Sequence, residues 1–366
     1  MRIKIEINKM NKMLEQISVS IDSLTPYQIL KNMKMTIYKS TIKMEGYDGT
    51  IARKIKMEVD KSSIIEEGEI LMNFYLFYDL IKRHNGEVEI FIENKTLKIK
   101  SLDFETEMQI ETENESYPNI FIEKIGDKLE VDNKEFIKLL NNVQLSVVPE
   151  NNSKEKTIFK GVNIVLLNGE LSMSSTNKSK LSFAFQNIEN KEININVTSF
   201  PKKLKNAFIN PNGKSLLYFD EQKIHIFEEN SETLISLIDG IFPDVSKARS
   251  ISGVEEIEIN KNEFLPAIKS TLLKNEKYSS LDIEFKKQKI KFETIAKGIG
   301  KLTREINSNY DGDKRVVTVN GNYLSDIISS MDKNFKLGFG SEHDPVIVES
   351  IDKKIKHIIM PIRRSE

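Results

Sequence analysis

The chain opens with alternating apolar and polar residues, and the same pattern returns twice further along. The three segments read IEINKMNK (5–12), LEVDNKEF (129–136) and IEINKNEF (257–264). Alternation predicts a strand with one buried face, and the steps of three and four residues that follow each segment predict an amphipathic helix. We align the copies on three helix caps, which are Asn8, Asp132 and Asn260. The regular spacing of these caps indicates a triplicated unit.

A second landmark keeps its place in all three copies. A good cap residue precedes an aromatic residue and opens a second helical pattern at Asn73-Phe74, Ser199-Phe200 and Asn322-Tyr323. Alternating runs separated by polar turns, among them the Asn-Gly turn at 168–169, predict strand hairpins in the rest of each copy. Glu135 and Glu263 stand three residues after two of the first caps, as in a capping box.

Each copy therefore reads strand, helix, strands, helix, strands. This order predicts an α+β fold of three repeated domains, each with two helices packed on antiparallel sheet, because hairpins rather than helical crossovers join most strands. The predicted domains span residues 1–122, 126–247 and 254–366, and each has the size of an ordinary domain.

Composition sets the class of protein. The chain is 39% hydrophobic and 30% charged, a balance typical of globular domains, and its formal net charge is −1. It has no cysteine, which excludes disulfides, thiolate zinc sites and a catalytic thiol. The N-terminus lacks the apolar run of a signal peptide, and no stretch reaches the roughly 18 consecutive apolar residues of a membrane span. We expect a soluble, cytoplasmic protein without a membrane partner.

No motif indicates a reacting centre. The four histidines, His84, His225, His343 and His357, lack the spacing of metal ligands. GIGK at 298–301 lacks the spacing of a phosphate-binding loop, and YDGD at 310–313 falls short of a calcium loop. We expect a protein that is not an enzyme and needs neither metal nor cofactor, although two carboxylates brought together by the fold remain an open alternative.

The order of several short motifs resembles the bacterial DNA polymerase III beta subunit, the β sliding clamp, in a divergent form. GIFPD at 240–244 resembles the junction between the second and third domains of that family, and NEKY at 275–278 resembles the stretch after the first helix of its third domain. HIIMPIR at 357–363 resembles the family's C-terminus. The resemblance covers the whole chain.

The resemblance implies a DNA sliding clamp that is a non-catalytic processivity factor. Such a clamp is a head-to-tail homodimer, a six-domain ring that encircles double-stranded DNA without reading its sequence. It tethers the catalytic subunit of the polymerase, the clamp loader and other replication or repair proteins. The alternative is a repeat protein that acts only as a protein-interaction scaffold and never encloses DNA.

A ring that slides needs basic side chains that meet phosphates loosely. The helical segments carry such residues, and a solvated helix face is the alternative for each of them. The candidates are Lys9, Lys12, Lys82, Arg83, Lys134, Lys138, Lys202, Lys203, Lys205, Lys269 and Lys274.

The resemblance also implies an apolar cleft for partner peptides between the second and third domains. Its walls would be Phe159, Thr176, Leu181, Pro243, Ala248, Val346, Ile358, Met360, Pro361 and Ile362, and its polar edge Asn320, Tyr323 and Arg363. Ordinary core is the alternative for Leu181, Ile358 and Met360. The family commonly reads Thr-Asp-Gly-His-Arg-Leu at one wall, whereas this chain reads TNKSKL at 176–181. The preferred partner motif is therefore expected to differ.

For ring closure, the resemblance places Leu272 and Leu273 at the dimer face of the third domain, against Met108 and Ile110 of the first domain. Leu272 has an alternative place in the core of its own domain, which is the commoner position of a helix leucine.

Overall fold

The computed structural model describes residues 1–110, 117–189, 192–273, 279–296 and 300–362. Its helices are α1 Ile7–Ile17, α2 Phe74–Ile81, α3 Asn133–Val143, α4 Pro201–Ala207, α5 Ser246–Arg249, α6 Lys261–Thr271 and α7 Gly321–Ser330. No helix among these residues is long and apolar enough to cross a membrane.

The strands alternate with the helices along the chain. In the first part they are β1 Arg2–Glu6, β2 Asn32–Tyr38, β3 Thr41–Tyr47, β4 Ile51–Glu58, β5 Ile64–Glu66, β6 Gly68–Asn73, β7 Glu87–Glu93, β8 Thr96–Lys100 and β9 Glu105–Gln109. In the middle they are β10 Asp127–Asp132, β11 Val162–Leu167, β12 Glu170–Thr176, β13 Lys180–Asn187, β14 Ile195–Ser199, β15 Lys214–Phe219, β16 Lys223–Glu228 and β17 Ser231–Ser236. In the last part they are β18 Glu255–Asn260, β19 Ser280–Lys286, β20 Lys289–Ala296, β21 Gly300–Asn307, β22 Arg315–Asn320, β23 Asn334–Phe339, β24 Val346–Ser350 and β25 Ile355–Ile359.

The chain divides into two compact units. Unit 1 is Met1–Glu135 with Lys202–Leu237, and unit 2 is Phe136–Pro201 with Ile238–Glu366. Unit 1 holds a five-stranded sheet in the order β5-β1-β7-β8-β9 and an eight-stranded sheet in the order β10-β15-β16-β17-β4-β3-β2-β6. Unit 2 holds an eight-stranded sheet in the order β14-β11-β12-β13-β25-β24-β23-β18 and a four-stranded sheet in the order β21-β20-β19-β22.

One hydrogen bond recurs in all three copies and fixes their structural register. In each repeat the first residue of the first helix donates its backbone N–H to a backbone carbonyl. That carbonyl belongs to the residue just before the strand that pairs with the opening strand of the repeat. The pairs are Ile7 to Gly86, Asn133 to Gly213 and Lys261 to Lys333, at 2.9, 3.0 and 2.8 Å. The equivalent cap positions are therefore Glu6, Asp132 and Asn260. Three repeats of one α+β unit, built of antiparallel hairpins, are confirmed.

The same register corrects the first predicted cap. α1 begins at Ile7, so Asn8 lies inside the helix, and the cap residue Glu6 makes no side-chain capping bond. Asp132 and Asn260 are caps as predicted, because they accept from the backbone N–H groups of Glu135 and Asn262 at 3.1 and 3.0 Å. The identical letters IEIN in the first and third copies are thus two residues out of structural register.

The second landmark is correct in one copy and displaced in the others. Asn73 caps α2 by accepting from the backbone N–H of Leu76 at 3.0 Å. In the second copy the helix begins at Pro201, a residue that suits the first helical turn because the amide it lacks would have no partner there. In the third copy the cap is Asn320 rather than Asn322, and its side chain accepts from the N–H groups of Asn322 and Tyr323.

The amphipathic faces lie where the periodicity predicts them. α1 buries Met10, Met13, Leu14 and Ile17. α6 buries Phe264, whose ring meets the rings of Phe292 on β20 and Phe335 on β23 edge-on at 5.0 and 6.1 Å. The first helix of the third repeat therefore packs on both sheets of unit 2.

Strands of different repeats pair at two places. β4 pairs with β17 within unit 1, and β13 pairs with β25 within unit 2, both antiparallel. Each pair joins a four-stranded sheet of one repeat to a four-stranded sheet of the next, which gives the two eight-stranded sheets. In the described parts of the chain, β9 and β21 end their sheets and pair on one side only.

Candidate partner-binding and nucleic-acid surfaces

The proposed peptide cleft begins at the turn between β12 and β13. Thr176 and Leu181 are paired across this hairpin, and Leu181 is also paired with Ile358 of β25. Thr176 is buried and donates its hydroxyl to the carbonyl of Lys180 at 2.9 Å, which holds the turn closed. Leu181 is half-buried and Ile358 is buried. The structure thus brings these three residues together on three neighbouring strands of the eight-stranded sheet.

The residues after β25 are fixed by backbone hydrogen bonds to the turn between β12 and β13 and to β22, and two of their side chains are exposed. The N–H of Met360 donates to the carbonyl of Ser179 at 2.9 Å, and the N–H of Ile362 donates to the carbonyl of Thr318 at 2.8 Å. Met360 is 49% exposed, and Ile362 is 36% exposed. An exposed methionine on a fixed backbone is a flexible apolar contact suited to varied partners.

Two lysines of the altered wall lie on aromatic rings of the cleft. The ammonium of Lys178 lies 5.2 Å from the ring centre of Phe159 and pairs with Glu155 at 2.6 Å. The ammonium of Lys180 lies 4.3 Å from the ring centre of Tyr323. The sequence predicts an altered partner motif here but not these contacts, although two lysines at a wall with two aromatic candidates were a signal for them.

Lys180 is a buried cation at this wall. It is only 7% exposed, and burial lowers the pKa of its ammonium, an effect that the charge of Asp326 opposes. Within the described residues no carboxylate lies within ion-pair distance of it, and its ammonium lies over the Tyr323 ring.

A buried polar chain lies next to Lys180. The hydroxyls of Ser146 and Ser182 are 2.6 Å apart, and the Ser182 hydroxyl is 2.7 Å from Nδ1 of His357. Burial, and then the charge of Lys180, lower the pKa of His357 to about 3. The imidazole is therefore neutral at physiological pH, and it stabilises the sheet beneath the cleft as a hydrogen-bonding group rather than as a charge.

The remaining cleft candidates fall into three groups. Asn320 is buried as the cap of α7 and positions Tyr323, which is half-buried, and Val346 is fully buried beside Ile359. Pro243 is exposed, Ala248 and Pro361 are half-buried, and α5, which carries Ala248, is anchored by the pairing of Arg249 with Glu170 at 2.6 Å. Arg363 lies outside the described residues.

The basic candidates separate into free and engaged side chains. Lys203 is engaged, because its ammonium contacts Asp48 at 3.1 Å and also the Thr50 hydroxyl. Arg83 pairs with Asp79 at 2.6 Å, and Lys82 lies 3.7 Å from the ring centre of Tyr78. Lys274 lies outside the described residues. The exposed candidates without an ion pair in the described parts of the chain are Lys9, Lys12, Lys134, Lys138, Lys202, Lys205 and Lys269.

The dimer candidates differ in their availability. Met108 is 4% exposed and its side chain belongs to the core of unit 1, so its place at the dimer face stays a prediction that concerns the strand rather than this side chain. Ile110 is half-buried against the same core. Leu272 and Leu273 follow the end of α6 and are half-buried, and Leu272 packs closely against Gly321 of its own repeat. Any side-chain contact between β9 and a second chain must therefore come from residues other than Met108.

Three family models of the DNA polymerase III beta subunit match the chain in sequence order. The N-terminal domain matches residues 1–121, the central domain residues 130–244 and the C-terminal domain residues 252–363. The chain belongs to the DNA polymerase III beta subunit family. Family membership confirms three clamp domains in one chain.

Curated relatives and solved structures agree with this assignment. The beta sliding clamp of Staphylococcus epidermidis is 22% identical and covers 98% of this chain and 97% of its own length. That of Chlamydia pneumoniae is 19% identical over 99% of both chains. The fold is similar to the polymerase sliding clamp of Bacillus subtilis, with a TM-score of 0.90 at 19% identity over 100% of both chains. The beta subunit of Streptococcus pyogenes gives 0.91 at 17% identity, also over 100% of both chains.

The chain is therefore a divergent DNA sliding clamp, with DNA and a DNA polymerase as its partners. As a beta subunit it is an accessory protein and not an enzyme. The scaffold that never encloses DNA is not favoured.

Proposed function

We propose that two copies of this chain close head to tail into a six-domain ring around duplex DNA, with domains at 1–122, 126–247 and 254–366. The observation that carries this proposal is the pair of free sheet edges. β17 and β25 each pair with a strand of the preceding repeat, whereas β9, their counterpart in the first repeat, has no such partner in the described residues. β21, the counterpart of β4 and β13, lacks one likewise.

A second copy supplies both missing partners at once. An unpaired edge strand presents a row of N–H and C=O groups that can pair with another chain. A head-to-tail arrangement of two copies pairs β9 of each chain with β21 of the other, and the two identical closures give a closed ring.

The free lysines support a DNA-lining role for the helices. On α1, Lys9 and Lys12 are exposed on the side opposite the buried methionines and leucine. Exposed lysines also occur on α3 and α4. Long flexible ammonium groups can meet phosphates through water without fixing a register, which allows the ring to slide.

The cleft supports a second role, the docking of partner tails. Met360 and Ile362 offer exposed apolar surface, and the backbone of Met360 is bonded to Ser179, between the two lysines that lie on the rings of Phe159 and Tyr323. We assign this surface to peptides from the polymerase catalytic subunit and the clamp loader. Lys180 at its wall favours partners that carry a carboxylate next to their apolar anchors, because an opposite charge beside a buried ammonium favours its charged form. The site of action is the cytoplasm, where the replicating DNA lies.

Topology provides the decisive test. Protein loaded onto nicked circular DNA should remain bound through a wash at high salt and should be released when a restriction enzyme linearises the circle. A phosphate-binding protein without a ring would be lost from both forms as salt rises. Equal retention on circular and linear DNA would overturn the proposal.

A further inference from the structure

The two strand pairs between repeats use the same register. In unit 1 Arg53 of β4 lies opposite Thr233 of β17, and in unit 2 Ser182 of β13 lies opposite His357 of β25. The strand pairing inside each repeat shows that these positions are equivalent and identifies their counterparts on the free edges.

The hairpins place Leu302 of β21 at the position of Arg53 and Ser182. Each outer hairpin begins after a two-residue turn, with Thr41, Glu170 or Lys289 as the first paired residue. The residue six positions after this first paired residue faces Ala52 in the first repeat, Leu181 in the second and Lys301 in the third. The next residues, Arg53, Ser182 and Leu302, are therefore equivalent.

The other sheets place Thr106 of β9 at the position of Thr233 and His357. The opening strands end opposite Glu87, Lys214 and Asn334. The residues two positions after Glu87, Lys214 and Asn334 are paired, on the next strand of each sheet, with Lys100, Phe227 and Glu349. These residues in turn face Glu105, Glu232 and Lys356, so the following residues Thr106, Thr233 and His357 are equivalent.

We propose that β9 of one copy adds to β21 of the other in this same register, with Glu107 opposite Lys301 of the partner subunit, and that this charge pair selects a second copy of the same chain. The inference rests on the proposed head-to-tail dimer. It follows from the two internal pairs, in which Leu234 faces Ala52 and Ile358 faces Leu181 at the equivalent position.

The charges around both edges are complementary. Lys301 shares the carboxylate of Glu293 with Lys291, at 2.8 and 2.7 Å, so one carboxylate serves two ammonium groups. Near β9 the balance is acidic. Lys98 is held by Glu93 at 2.7 Å, is 3.9 Å from Glu105 and faces Glu107 across β8 and β9, so three carboxylates surround one ammonium group. The same register brings Phe104 opposite Arg304 of the partner subunit. Both side chains are exposed, which permits a cation–π contact.

The absence of cysteine makes the register directly testable. The variant carrying both Glu107→Cys and Lys301→Cys should form covalent dimers under mild oxidation, because facing residues of antiparallel strands lie about 4.5 to 5.5 Å apart at Cα, within disulfide range. The matched control combines Gln109→Cys with Lys301→Cys, which is displaced along the strand and should cross-link poorly. Preferential cross-linking of the control pair would overturn the register.

Charge reversal tests the selection itself. Glu107→Lys or Lys301→Glu alone should weaken the dimer about tenfold, measured by sedimentation equilibrium at low salt, because each puts like charges at both closures. The double reversal should restore it and should sort away from unmodified chains. Lys128→Glu, on the exposed edge strand β10, is the control and should change nothing.

The outcomes separate the two proposals. A chain that stays monomeric at every concentration would overturn the head-to-tail ring and the register together. A stable dimer that ignores both single reversals, or that the double reversal fails to restore, would overturn the charge selection and leave the ring intact.

Discussion

At the residue scale, the two strand pairs between repeats place different polar residues at the same buried position. Arg53 is 1% exposed, and its guanidinium donates to the carbonyls of Gln16, Asn206 and Ala207, each at 2.7 Å. These carbonyls close α1 and α4, where the last C=O groups lack helical partners and carry partial negative charge. Burial lowers the pKa of Arg53 to about 10, so it stays charged at neutral pH. The equivalent pair in unit 2 is the neutral Ser182–His357 contact.

His357 should make the protein sensitive to acid. Its pKa of about 3 in the folded chain lies below the ordinary value near 6.5, so below pH 6.5 the unfolded state binds the proton first. Stability is therefore complete above about pH 6.5 and falls as the pH drops toward 3, by about 2 kcal/mol at pH 5. Urea unfolding of the wild type and of His357→Asn, followed from pH 7 to pH 5, should show a flatter dependence for the variant.

A matched histidine provides the control for that measurement. His343 has a side chain that is 76% exposed, so His343→Asn should keep the wild-type slope. If His357→Asn and the wild type lost stability in parallel, the buried imidazole would not be the acid-sensitive group.

At the element scale, the turn entering β10 depends on a glycine for two separate reasons. Gly126 has φ +88°, and a Cβ placed there would lie 1.8 Å from the carbonyl oxygen of Phe219 on the neighbouring strand β15. Gly86, which precedes β7 in the first repeat, has φ +70° and open space around it. The two positions separate backbone strain from steric clash.

Alanine substitution should therefore cost unequal amounts. Gly86→Ala should destabilise the fold by about 1 kcal/mol, the cost of a left-handed backbone for an alanine. Gly126→Ala should cost about 3 kcal/mol or more, because β10 must also move away from β15. Thermal unfolding of both variants in one buffer measures the difference, and equal losses would show that the strand accommodates the extra methyl group.

Periodicity predicted the elements well and their exact ends less well. Met10, Leu14 and Phe264 are buried as their spacing requires, because one buried face is a property of local sequence. The cap at Glu6 was missed because a glutamate without a capping bond has no sequence signal, whereas the literal match IEIN pointed two residues away. Strand pairing between repeats, such as β4 with β17, joins residues too far apart in sequence for any periodicity to show it.

The same contrast between local and long-range features holds for the candidate site. Met360 and Tyr323 are both linked to the turn between β12 and β13, Met360 through the carbonyl of Ser179 and Tyr323 through Lys180, and their role in a peptide cleft stays a prediction. The burial of Met108 in its own core and the capture of Lys203 by Asp48 depend on side-chain direction and on a turn in another repeat. Both are decided by tertiary packing, and therefore neither could be read from local sequence.

At the scale of the whole molecule, the net charge is −1, but the lysines of the helices and of the sheets differ in whether they are ion-paired. Many strand lysines are paired with carboxylates, as Lys34 is with Glu69 and Lys98 with Glu93. The exposed lysines of α1, α3 and α4 have no ion pair in the described residues, so their charge remains available to phosphates. In the proposed ring, topology holds the DNA, and these lysines set how the ring moves on it.

Removing one lysine from each of α1, α3 and α4 should separate the retention of the ring on DNA from its contacts with the phosphates. The variant with Lys12, Lys138 and Lys205 changed to Gln should bind nicked duplex with a weaker salt dependence, the log–log slope falling by roughly 0.9 for each phosphate that is no longer neutralised. Its lifetime on an unbroken circle should stay unchanged, because the closed ring rather than the lysines prevents escape. The matched variant changes the exposed strand residues Lys4, Lys56 and Lys128 to Gln and should leave the slope as it was. A reduced slope in the strand variant alone would place the phosphates against the sheets, and a shortened lifetime on circles in the helix variant would mean that charge, rather than closure, retains the protein.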